Sequence, residues 1–146
     1  EVSLAPPLSG HIVHRRLENE RLLLTTGSYL ASGPGLTMRL RWGGIRGILS
    51  KEGLVFLEMS GTGDLFFTAY GGITEVAVSG DFIVDNGHMV AFTAGLDFEI
   101  TTPGGGAMGF LASGEGLVCK LNGNGSVWIQ SRNVGALAGW ITRLLP

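Results

Sequence analysis

Glu115-Gly116-Leu117-Val118 leads into Gly123-Asn124-Gly125-Ser126-Val127-Trp128-Ile129, and almost the same words stand earlier, where Glu52-Gly53-Leu54-Val55 leads into Gly61-Thr62-Gly63-Asp64-Leu65-Phe66-Phe67. In each copy an apolar run meets Gly-x-Gly and leaves through a polar residue into a second apolar run, the pattern of strand, tight turn and strand. Two hairpins are therefore expected, Leu54 to Phe67 and Leu117 to Ser131. Gly61, Gly63, Gly123 and Gly125 are expected to include positions of positive φ, where a side chain is disfavoured. The likeness extends upstream: Gly27-Ser28-Tyr29-Leu30-Ala31 matches Gly87-His88-Met89-Val90-Ala91, and Leu36 to Arg41 matches Leu96 to Thr101. By the repeat criterion the chain is one domain, 1–146, made of two units at about 10–71 and 72–133.

Working outward, Glu1 to Ser9 is a Pro-containing leader expected to lie extended against the body. His11 to Leu17 is followed by a turn at Glu18-Asn19-Glu20 and a buried run, Arg21 to Thr26. Ser79-Gly80-Asp81 is a similar turn in the second unit, between Ile73 to Val78 and Phe82 to Val84. Along Leu36 to Trp42 the alternation puts Leu36, Met38, Leu40 and Trp42 on one face and Thr37, Arg39 and Arg41 on the other, as in a half-buried strand. Gly43 to Gly47, Thr102 to Gly106 and Met108 to Ala112 read as two loops and a short lead into the second hairpin. Only after Asn133 does the period become helical, through Val134, Leu137, Ala138, Ile141, Leu144 and Leu145, giving one short C-terminal helix over 134–145 whose stripe should pack on the sheet or on a neighbouring subunit. The fold class is all-β: a repeat-built β-helical barrel or sandwich, in the manner of a double-stranded β-helix or jelly roll, with that helix appended.

The 146 residues suit a single core that needs neither disulfide nor metal. Charged residues make up 15% of the chain and hydrophobic ones 45%, with a net charge of -2. So little charge leaves apolar surface on a monomer, and a homo-oligomer is the expected remedy. No apolar run is long enough for a membrane-spanning helix and the first residues lack a secretory pattern, so the default compartment is cytoplasmic. The lone Cys119 reads as a small buried hydrophobe.

Ser113-Gly114-Glu115-Gly116-Leu117-Val118, the following Gly123-x-Gly125-x-Val127-Trp128-Ile129-Gln130-Ser131-Arg132, and the upstream Gly80-Asp81-x-x-x-Val84-Asp85-x-Gly87-x-x-Val90-Ala91 resemble the altered inheritance of mitochondria protein 24 family. Ala136-Leu137-Ala138-Gly139-Trp140-Ile141 is similar to that family's C-terminal tail. The resemblance implies a β-helical barrel related to the tryptophan RNA-binding attenuation protein, built of repeats and prone to oligomerise, with no catalytic residues implied. Its members are usually longer, with three such repeats against the two read here.

Candidate chemistry is sparse. His11 and His14 are three apart on a strand and point to opposite faces, His88 stands alone beside Asp85, and a metal site is not expected. Asp81 and Asp85 read as turn carboxylates, and Gly104-Gly105-Gly106 lacks the Lys and helix of a phosphate loop. No catalytic, cofactor-binding or metal residues are assigned, and an enzyme is not expected. Arg39, Arg41, Trp42 and Arg46 form the group best suited to stacking and pairing with single-stranded RNA, but the acidic balance opposes nucleic-acid binding. The expected role is a non-enzymatic, self-associating scaffold or binding module, with a membrane-associated assembly as one setting; the alternative is a small-molecule or RNA-binding regulator. Leu137, Ile141 and Leu144 on the helix are candidate interface residues. So are Arg39 and Arg41, which stand where Glu99 and Thr101 stand in the second unit, and Asp97, which replaces Thr37. These basic and acidic faces read either as simply solvated or as meeting across the repeat boundary or between neighbouring subunits in head-to-tail association.

Overall fold

The computed structural model describes residues 2–43, 54–101 and 117–145. Among the described residues eight strands form one antiparallel sheet: β1 (Ile12–Thr25), β2 (Tyr29–Ser32), β3 (Leu36–Gly43), β4 (Leu54–Thr68), β5 (Ile73–Asp85), β6 (Met89–Thr93), β7 (Asp97–Thr101) and β8 (Val118–Gln130). A 3-10 turn, Asn86–His88, precedes β6, and helix α1 (Val134–Thr142) follows β8. The all-β expectation with one short C-terminal helix therefore holds, as an open sheet ordered β2-β4-β1-β6-β8-β5, with β3 on β4 and β7 on β8.

The expected hairpins are absent. β4 runs unbroken through Gly61-Thr62-Gly63, and β8 through Gly123-Asn124-Gly125, because each has a long antiparallel partner that runs past these residues on both sides. β4 lies on β1 from Thr68 opposite Ile12 to Phe56 opposite Thr25, and β8 lies on β5 from Gln130 opposite Ile73 to Val118 opposite Asp85. The turns expected at Glu18 to Glu20 and Ser79 to Asp81 are likewise mid-strand. What the local sequence marks is a break in the pleat. Asn19 has φ 57° and is the extra residue of a bulge opposite Gly61, which has φ 121°. Gly80, at φ 89°, faces Gly123, at φ 122°, directly across the second ribbon. Of the four glycines expected to include positive φ, Gly61 and Gly123 have it. A methyl group on Gly61 would run into the carbonyl oxygen of Gly35.

The two ribbons share their interiors. Leu22, Leu23 and Leu24 are consecutive and all buried, since both faces of β1 are covered. Leu22 and Leu24 point into a core with Met59, Phe67 and, from the second ribbon, Trp128. Leu23 points the other way, joining Phe56 in a core otherwise supplied by the second ribbon, including Phe92, Ile100 and Leu121. Phe56, Phe92 and Phe98 pack edge to face with centroids 5.2 to 5.4 Å apart, a geometry that adds to simple area burial. Arg15 bridges the ribbons outside these cores, its guanidinium 5.0 Å from the Trp128 ring and 3.9 Å from Glu75. The leader is held at its end, where Ser9 accepts from the Gly71 N–H and Gly10 bridges Gly71.

Candidate functional site

The alternation along β3 is present as read, but its apolar face is not the buried one. Met38, Leu40 and Trp42 all face solvent, Trp42 at 71% exposure and Leu40 at 62%. Among the described residues β3 hydrogen-bonds only to β4, and none of them lies over the stripe. The result is an outer strand with a row of large apolar side chains, a surface that soluble monomers keep small.

On the polar face, Arg41 Nε stands 2.8 Å from Glu58 Oε2, a close ion pair whose N–H is not aligned for a good hydrogen bond. Glu58 is only 7% exposed and lies opposite both Leu23 and Arg39 in the ladder. Glu99 of β7 similarly stands opposite Lys120 of β8, and Asp97 opposite Asn122. Each of the two charged faces thus has an oppositely charged residue on its own partner strand, β4 or β8. Arg46, the fourth member of the group weighed above for RNA contact, lies outside the described residues.

Helix α1 is capped by Asn133, whose Oδ1 accepts from the N–H groups of Gly135 and Ala136. It does not pack on the sheet as a covered stripe: no helix residue is buried, and Val134, Trp140, Ile141 and Leu144 are all exposed, Leu137 being half-buried. Its foot borders a shallow groove with Tyr70, His88 and Arg132, where the Arg132 guanidinium lies 5.5 Å from the Tyr70 ring. No helix among the described residues is long and apolar enough to cross a membrane.

The remaining reactive side chains are committed to structure. His88 Nδ1 is 2.8 Å from the Gln130 carbonyl, and His11 Nδ1 is 3.2 Å from that of Gly71. Asp85 accepts from the Gly87 N–H and Asp81 from the Asn122 amide. Cys119 is fully buried in the second core, and burial pushes its thiol up to about 12, which leaves almost no thiolate at neutral pH. His14 bonds Asp64 at 2.8 Å and stacks on Phe66. That hydrogen bond, with Arg16 nearby, holds the Asp64 carboxyl below its ordinary range. The alternating pattern gave no sign of the His14–Asp64 contact, since it depends on the register of β1 against β4.

Fold and surface together define a mostly β class of protein: long, centrally bent antiparallel ribbons sharing their cores, with apolar side chains displayed on an outer strand and on a short helix after the last strand. The model of the mitochondrial biogenesis AIM24 family matches residues 1–132, and the chain belongs to that family. An uncharacterized protein of Streptococcus pyogenes serotype M6 is 30% identical over 149 residues, a match spanning 100% of this chain and 60% of the relative. The crystal structure of protein SPYM3_0169 from Streptococcus pyogenes superposes with a TM-score of 0.84 at 31% identity, covering 97% of this chain and 63% of that one. The chain thus spans less than two thirds of the length of these relatives.

Proposed function

We propose that the protein is a self-associating scaffold or binding module that acts by contact rather than catalysis, built of two equivalent units, 10–71 and 72–133. The equivalence is supported by the ladders. Tyr29, Ala31 and Ser32 lie opposite Phe67, Phe66 and Leu65, skipping Leu30, as Met89, Ala91 and Phe92 lie opposite Ile129, Trp128 and Val127, skipping Val90. Thr37 opposite Ser60 corresponds in the same way to Asp97 opposite Asn122.

The observation that carries the functional reading is the exposed row Met38, Leu40 and Trp42 on an outer strand. Leaving such side chains in water forgoes about 25 cal/mol for each Å² a contact would cover. The exposed face of α1, with Ile141, and Leu144 in the turn after it offer a second such surface. A contact role also agrees with the histidines, turn carboxylates and thiol being occupied in capping, ladder ends and core. Sedimentation velocity over a concentration series tests the reading. Assembly is expected at roughly tens of micromolar, within the ordinary range of interface strengths, and Leu40→Glu is expected to weaken it. A wild-type chain that stays monomeric throughout that range overturns it.

A further inference from the structure

The groove at the foot of α1 is walled by three segments of the chain: the stretch around Tyr70, the turn before β6, and the run from Ser131 into the helix. Its shape therefore does not depend on any strand edge being unpaired. Its volume is about 370 Å³, within the range of about 300 to 1,000 Å³ usual for small-molecule sites.

Arg132 brings a fixed positive charge to this groove, and its side chain is placed rather than free to sweep. The Arg132 N–H donates to the Tyr70 carbonyl at 3.2 Å, and the guanidinium lies 5.5 Å from the Tyr70 ring. The stem runs over Gly71, where a Cβ would come within 3.0 Å of Arg132 Cγ and 3.1 Å of Cδ. Gly71 also has φ 82°, a setting that favours glycine. A guanidinium resting its face on a ring keeps its in-plane N–H fork for a carboxylate. Among the described residues no Asp or Glu lines the groove, and none forms an ion pair with Arg132.

The neighbouring polar groups are spent elsewhere. Ser131 Oγ accepts from the Gly72 N–H, Asn133 Oδ1 caps α1, and His88 Nδ1 faces the Gln130 carbonyl. Since a carbonyl only accepts, that nitrogen of His88 carries the proton. The far wall is apolar, made by half-buried Leu137 and by Trp140, which is 60% exposed. The first unit lacks the charge. By the ladder equivalence Tyr70 stands where Arg132 stands and Ser28 where His88 stands. The matching hollow there has no charged residue among its described lining.

We infer that the groove at the foot of α1 binds a small aromatic carboxylate, its anionic end on the Arg132 fork and its ring against Trp140 and Leu137. The inference does not require the self-association proposed above. A charge alone would hold any anion and an apolar wall any ring; side by side they select molecules that carry both.

The test is a proton–nitrogen correlation NMR titration with phenylacetate, beside benzyl alcohol, which lacks the carboxylate, and acetate, which lacks the ring. Phenylacetate is expected to give saturable shifts at the Tyr70, Arg132 and Leu137 amides and the Trp140 indole N–H, with a Kd below about 1 mM. Each of the other two probes is expected to bind at least about tenfold more weakly. Arg132→Gln, which keeps much of the stem, is expected to weaken phenylacetate binding about tenfold and to leave benzyl alcohol unaffected. Trp140→Ala, at an exposed position, is expected to keep the wild-type circular dichroism spectrum and to weaken phenylacetate at least about threefold. Wild-type binding by Arg132→Gln overturns the inference, as does acetate matching phenylacetate. Saturable shifts centred away from the groove, or none up to about 10 mM, overturn it too. Sedimentation of the same samples reports self-association separately, so either reading can fail alone.

Discussion

Met38 and Leu40 along β3, and Phe98 and Ile100 along β7, follow the same alternation on strands laid against the outer side of a long neighbour, yet Ile100 is 3% exposed and Leu40 62%. The strands themselves do not account for the difference. What covers β7 is Phe56, delivered from the other ribbon, together with Phe92. β3 has no such donor among the described residues. Alternation fixes which side chains share a face; whether that face becomes core depends on a third element reaching across to it.

The largest effect expected from this contrast is in paired truncations. Ile100→Ala should cost roughly 2 to 5 kcal/mol in urea unfolding, as for other buried aliphatic truncations. Leu40→Ala, measured where the chain is monomeric, should stay within about 0.5 kcal/mol, as at exposed sites. Equal losses would mean that β3 is covered after all. Next come the pleat breaks. Gly123→Ala should lose about 1 kcal/mol for its positive φ, and Gly61→Ala more, since the added methyl also meets the Gly35 carbonyl. Unchanged unfolding midpoints in both would remove the account of the bent ribbons.

The charge pairs beside the two strands should separate by a smaller margin. Arg41→Ala strands the buried Glu58 carboxylate and should cost about 1 to 2 kcal/mol, whereas Lys120→Ala, beside exposed Glu99, should cost no more than about 0.5 kcal/mol. A smaller loss for Arg41→Ala than for Lys120→Ala would show that Glu58 is adequately solvated. The smallest effect is at the His14–Asp64 contact. Because Asp64 is held below its ordinary range, its contribution is present above the unfolded carboxylate value near about 4 and is lost as pH falls through the lowered folded value. His14→Ala should return the Asp64 titration, followed by NMR, toward the ordinary range, and an unmoved titration would assign the shift to Arg16.

Much of this was legible in the residues. The matched words around Gly61 and Gly123 located positions of positive φ, and the change of period after Asn133 located α1 within three residues of its end. The hairpins were misread because Gly-x-Gly chemistry serves a reversal and a mid-strand break equally well. The choice between them is made by a partner strand some 40 residues away, β1 for β4 and β5 for β8. The stripe from Leu36 to Trp42 was found, but its burial was not, for the reason the comparison with β7 supplies. The Arg41–Glu58 pair escaped notice because Glu58 falls in an otherwise apolar run whose neighbour on the polar face is known only from register.

Cys119 lies between Val84 and Ile100 on the central strand of the second core, fully covered and held as a neutral thiol. Its modification by a thiol reagent therefore requires that the second ribbon first come apart. In the unaltered chain the labelling rate is a built-in gauge of local opening, and its concentration dependence reports whether association protects that ribbon.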